Sequence, residues 1–68
     1  MKKQTTAYTI VSHSDPGAAI CWKDSSYCLM LVNEHKHGAC LFTYENALEL
    51  IKILDNSNLE VCKILVYV

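Results

Sequence analysis

His35, His37 and Cys40 stand in an H-x-H-x-x-C spacing, and Cys21, Cys28 and Cys62 supply three further thiols. Zinc takes four nitrogen or sulfur ligands at about 2.0–2.3 Å, and these residues carry the atoms it selects. Two features argue against a metal centre. The chain has no C-x-x-C pair, and the hairpin register derived below sends Cys40 to the face opposite Cys21 and Cys28. The expected cofactor is therefore none, with zinc on His35, His37, Cys40 and one more cysteine as the competing possibility. Cys21 and Cys28 fall opposite one another across that hairpin, within the about 4.5–5.5 Å Cβ spacing of cross-strand pairs. Packed free thiols are expected there, because a reduced cysteine behaves as a small buried hydrophobe.

The run Ser12, His13, Ser14, Asp15 contains the residue types of a nucleophile, its base and an orienting carboxylate. Such a set works only when the three meet in space, with the nucleophile held against the base. Consecutive placement at a strand end reads instead as turn chemistry. Cys40 and His37 are likewise neighbours in sequence only. With 68 residues there is little room for a pocket of about 300–1,000 Å³. The expectation is a protein that is not an enzyme and has no small-molecule substrate.

The elements that must position these residues follow from periodicity. Thr6 to His13 is a β-branched and aromatic mix that suits a strand. Ser14, Asp15, Pro16 and Gly17 then supply a turn. Ala18 to Lys23 and Tyr27 to Asn33 form a hairpin about Asp24 and Ser25, pairing Trp22 with Tyr27, Cys21 with Cys28 and Ile20 with Leu29. One face of the hairpin carries Ile20, Trp22, Tyr27, Leu29 and Leu31, and the other Cys21, Cys28, Met30 and Val32. The polar loop Asn33 to Gly38 leads to a short fourth strand, Ala39 to Phe42, with Val32 opposite Ala39 and Leu41 opposite Met30.

At Thr43 the period changes from two to about 3.6, which predicts a helix over Tyr44 to Leu54 with Ala47, Leu50, Ile51 and Leu54 on its inner stripe. Thr43 is a good N-cap and Glu45 suits the positive end of the helix dipole. The cluster Asp55, Asn56, Ser57, Asn58 ends the helix. Leu59 to Val68 is the last strand, with Cys62, Ile64, Val66 and Val68 as the inward set. It is expected to pair antiparallel with the first strand. The fold class is α+β: an antiparallel sheet of four to five strands with one helix packed on one face, in the order β-β-β-β-α-β. Residues 1–68 are one domain, with 1–5 expected to be disordered.

Composition narrows the function. Hydrophobic residues make up 51% and charged residues 19%, which excludes a disordered tail. The net charge is −1, and all six basic residues are lysines. Arginine's planar fork is the usual tool for phosphate and guanine, so a nucleic-acid-binding regulator is an alternative the composition disfavours. Gln4, Thr5 and Thr6 interrupt the apolar run a signal peptide needs, and no stretch approaches the about 18 apolar residues of a membrane span. A cytoplasmic protein without membrane contact is expected.

The segment Cys40 to Leu54, CLFTYENALELIKIL, follows a hairpin and precedes a terminal strand. In this it resembles small accessory proteins encoded by phages and other mobile elements, in which a hydrophobic strand ends in F-T, a short helix with an early alanine follows, and one strand closes the domain. Leu41, Phe42, Thr43, Ala47 and Ile51 carry the resemblance over about the last 40 residues. It implies a non-enzymatic protein that binds and modulates host machinery, including defence inhibitors of the anti-CRISPR type, and it transfers no site residues.

Both faces of the hairpin are apolar, and one helix can cover only one of them. The protein is thus expected to be an interaction module, a homodimer that also binds a host protein complex. The expected contact residues are Met30, Val32 and Leu41 on the uncovered face, with Glu34, His35 and His37 from the loop.

Overall fold

Ile10, Ile20 and Leu59 come from three different strands and Ala47 from the helix, and together they form the buried core. A computed structural model of the chain describes residues 3–33 and 38–67. The elements are β1 (Gln4–Ser12), β2 (Ala18–Lys23), β3 (Ser26–Leu31), α1 (Tyr44–Leu54) and β4 (Leu59–Tyr67). The four strands form one antiparallel sheet in the order β3-β2-β1-β4. Glu34, His35, Lys36 and His37 lie outside the described residues.

The longest ladder joins β1 to β4 in register from Gln4 opposite Tyr67 to Ser12 opposite Leu59. This is the antiparallel pairing with the first strand that the sequence favours. It also makes Gln4 and Thr5 part of the sheet rather than of a disordered lead. Thr9 is buried within the ladder, where its hydroxyl donates to the Cys62 carbonyl at 3.5 Å.

The β2–β3 hairpin has the expected register, with Trp22 opposite Tyr27, Cys21 opposite Cys28 and Ile20 opposite Leu29. Asp24 and Ser25 hold φ of 52° and 63° at its tip. Two consecutive positive φ values define the mirror-image turn whose twist matches the flanking strands. In a two-residue hairpin of this kind Lys23 and Ser26 exchange hydrogen bonds, so Trp22 and Tyr27 fall at a closely approaching pair without them. Their rings meet edge to face with centroids 4.8 Å apart. At the other end of β3, Val32 donates its N–H to the Gly17 carbonyl at 2.9 Å, which fixes the same alternation.

The short fourth strand over Ala39 to Phe42 is not formed as expected. Strands β1 and β2 pair only where Val11 faces Ala19 and then splay apart. The segment enters this gap instead of pairing with β3. The Cys40 N–H donates to the Ile20 carbonyl at 3.0 Å, and Phe42 and Tyr8 exchange hydrogen bonds of 3.1 and 2.8 Å. Four residues that can satisfy backbone groups on two strands outcompete a second pairing along β3. The expected pairs of Val32 with Ala39 and Met30 with Leu41 are therefore not made, and Phe42 packs on the core.

Helix α1 has the expected bounds. Thr43 accepts from the Asn46 N–H at 3.2 Å, and Asp55 ends the helix in the left-handed conformation with its N–H bonded to Ile51 and Lys52 carbonyls. Ala47 is fully buried, with Leu50 and Ile51 against the core. Leu54, expected on the same stripe, is more than a third exposed. The inward set of β4 also differs. Leu59 and Val61 reach the core, whereas Cys62, Ile64 and Val66 alternate to the other face and are half-buried.

Ile10→Ala would empty a fully enclosed position and is expected to cost about 2–5 kcal/mol in denaturant unfolding. Ser25→Gly removes the left-handed penalty of an L-residue, about 1–2 kcal/mol, and should raise the unfolding midpoint without changing the slope.

Candidate functional site

The surface that α1 leaves uncovered is set by the strand order. Because β4 lies on the far side of β1, the helix that connects Phe42 to Leu59 packs chiefly on β1 and β4, with Ile20 as the hairpin's part of the shared core. Strand alternation places Trp22, Tyr27, Leu29 and Leu31 on the same face as the core residue Ile20. They are part of the helix-bearing face, yet no described element covers them. Trp22 is 59% exposed and Leu31 79%, with Tyr27 and Leu29 also exposed. Phe42 touches only the inner side of the patch, its ring 6.2 Å from that of Tyr27.

Strand β3 is the sheet edge on this side. Its residues Ser26 to Leu31 carry no charge, and all but Cys28 are exposed. Edges are normally blunted by lysine, proline or a covering element. The opposite edge, β4, carries Glu60 and Lys63. Edge β3 has none of these protections among the described residues.

The residues expected on the uncovered face are divided by this arrangement. Met30 is exposed on the face opposite the helix, and Val32 is half-buried beside Gly17. Leu41 is exposed at the wedge, where with Thr6, Tyr8, Phe42, Tyr44 and Asn46 it lines an open depression at the start of α1. That lining offers hydroxyls and an amide but no carboxylate, imidazole, amine or thiol. The expected loop contacts Glu34, His35 and His37 lie outside the described residues, as do two of the three proposed zinc ligands.

Cys21 is buried at the splay of β1 and β2, and its thiol is pushed above the ordinary 9.0 by burial first and then by the neighbouring Cys40 and Cys28. The wedge thus brings Cys40 toward Cys21, where a β3-paired segment would have turned it away. Cys21 and Cys28 occupy a hydrogen-bonded pair of the hairpin, where side chains stand farther apart than at the adjacent Trp22–Tyr27 pair. All four cysteines are free. Among the described residues no group of three His, Cys, Asp or Glu side chains is arranged to hold a metal ion.

Ser12, His13 and Ser14 are brought together with residues of the α1–β4 loop rather than with each other as a triad. The Asn58 amide donates to Ser12 Oγ at 2.8 Å and Ser14 Oγ at 3.0 Å, and Asn58 Oδ1 accepts from the Ser14 N–H at 3.2 Å. His13 Nδ1 lies 3.0 Å from Glu60 Oε2, an exposed contact that is an ion pair only when the ring is protonated. Asp15 caps its own turn by accepting from Gly17 N–H. The cluster ties the end of β1 to the start of β4.

Sequence reasoning identified the apolar excess and named Met30 and Leu41, both of which are exposed, but did not name the helix-side flank. The hairpin register already put Trp22, Tyr27, Leu29 and Leu31 on one face. What it lacked was the position of the helix, which depends on where β4 pairs. No helix among the described residues is long and apolar enough to cross a membrane. No family model, curated protein or solved structure matches the chain.

The raised Cys21 thiol gives a pH dependence with a definite sign. Unfolding returns the group to its ordinary value, so the unfolded chain loses this proton first. Stability is intact below pH 9.0 and falls as the pH rises through that value toward the folded one. Urea midpoints between pH 8 and pH 10 should show a decline that Cys21→Ala reduces, and Cys21 should be the last thiol labelled by an aromatic disulfide reagent in native protein. Equal labelling rates for Cys21 and Cys28 would contradict the placement.

Proposed function

We propose that this protein is a small non-enzymatic interaction module whose working surface is the uncovered helix-side flank of the β2–β3 hairpin. One observation carries the reading: α1 packs chiefly on β1 and β4, so Trp22, Tyr27, Leu29 and Leu31 form an exposed apolar patch beside a chargeless edge. Scattered apolar side chains are normal on a protein surface, but contiguous ones mark sites of association. Trp and Tyr are also the side chains that most often anchor protein interfaces.

The target is a protein rather than a nucleic acid. Stacking platforms for single strands flank their rings with basic groups, and among the described residues Lys23 is the basic side chain next to this patch in sequence. The resemblance of the strand-to-helix junction to mobile-element accessory proteins supports a host complex as the target and modulation or inhibition as the outcome. No cofactor takes part in this reading, and cytoplasmic placement follows from the target.

Trp22→Asp places a charge within the patch, at its hairpin-tip end, while leaving the buried core untouched. Captured proteins from host extract, quantified for wild type, Trp22→Asp and the helix variant Ile53→Asp, should lose at least about tenfold in Trp22→Asp alone. Identical capture by all three, with unchanged far-UV circular dichroism, would refute the assignment of the surface.

A further inference from the structure

We infer that the edge of β3, unpaired among the described residues, is occupied by a second copy of this chain, paired antiparallel about a two-fold axis through Leu29. The inference concerns the strand edge and rests on the exposed hairpin described above, independently of whether a host protein binds its face. The alternation of hydrogen bonds in the hairpin decides which groups are free. Ser26, Cys28, Met30 and Val32 direct their backbone groups toward β2, as the Val32 N–H to Gly17 carbonyl bond shows. Tyr27, Leu29 and Leu31 therefore direct theirs outward from the sheet. Three N–H and three C=O groups in a row form a template for one more strand.

A second β3 satisfies that template in its own image. With Leu29 on the axis, Leu29 faces the partner's Leu29, and Tyr27 faces the partner's Leu31. Each of these pairs exchanges two hydrogen bonds. An axis along the sheet normal keeps like faces together, so both copies bring Tyr27, Leu29 and Leu31 to one side. On the other side Cys28 faces the partner's Met30.

Charge favours this occupant, because no charged residue lies between Ser26 and Leu31 and the pairing brings no like charges together. The β4 edge offers no such neutrality, since its ladder carries Glu60 and Lys63. The product is one eight-stranded sheet with a helix near each end and the apolar flanks of both hairpins side by side between them.

Leu29 is the position that meets itself, and this gives the test. Leu29→Lys and Leu29→Glu each place like charges opposite one another, and sedimentation equilibrium should show self-association weakened at least about tenfold in either variant alone. Mixing the two should restore a dimer containing one chain of each. In wild type, amide exchange followed by NMR should show the Tyr27, Leu29 and Leu31 N–H groups protected in concentrated protein and exposed on dilution, with Cys28 protected throughout. This second readout needs no variant to fold. A wild-type protein that remains monomeric at millimolar concentration overturns the inference, as does a mixture of the two variants that fails to associate. If that monomer still captures host protein through Trp22, the interaction reading stands without the dimer. A dimer with no Trp22-dependent capture reverses that outcome.

Discussion

The pairing of β4 with the outer side of β1 is the constraint on which the rest of the molecule depends. Nine residues of each strand form that ladder, and it fixes both ends of the connection that must span the sheet. The chain leaves the sheet at Phe42, bonded to Tyr8, and returns at Leu59, opposite Ser12. A helix of 11 residues rises about 16 Å, or roughly five residues of extended strand, so α1 lies along β1 and β4 and cannot also reach β3. The core is accordingly small. Ile10, Ile20, Ala47 and Leu59 lie at its centre, and the hairpin projects beyond it as a two-stranded arm with apolar side chains on both faces.

The parts of this architecture legible in the sequence are those governed by local rules. Thr43 and Asp55 bound the helix because a side-chain acceptor starts it and a turn-forming cluster stops it, and both ends fall where that chemistry puts them. Asp24 and Ser25 fix the hairpin register, from which every cross-strand pair follows. The pairing of β4 with β1 was also accessible, since a strand returning after one helix lies antiparallel to the first strand. The remaining features depend on non-local competition. Ala39 to Phe42 reads as strand, but whether it pairs with β3 or fills the splay between β1 and β2 turns on backbone groups that only the assembled sheet leaves open. Period-two alternation in β4 likewise gives two equivalent faces, and Lys63 marks as wet a face that at Leu59 and Val61 is core.

The candidate surface was legible in kind and in part of its residues. An apolar excess relative to one helix is a property of composition and pattern, and the structure contains it. The helix position leaves Trp22, Tyr27, Leu29 and Leu31 exposed in addition to Met30 and Leu41, with Val32 half-buried. The wedge also alters the cysteines: it carries Cys40 beside β2, where Cys40 and Cys28 add to the burial that pushes the Cys21 thiol up. Asn58, which sequence patterns present only as a turn residue, joins Ser12 and Ser14 and closes the end of the β1–β4 ladder.

Trp22 is the only tryptophan in the chain and sits on the flank that α1 leaves exposed, so its fluorescence reports on the central claim directly. Acrylamide quenching in protein diluted until sedimentation shows a single monomeric species is the decisive measurement. An uncovered flank gives a quenching constant approaching that of free tryptophan. A strongly protected indole in that monomeric sample would mean that the chain covers its own hairpin, and the account of this surface would be wrong.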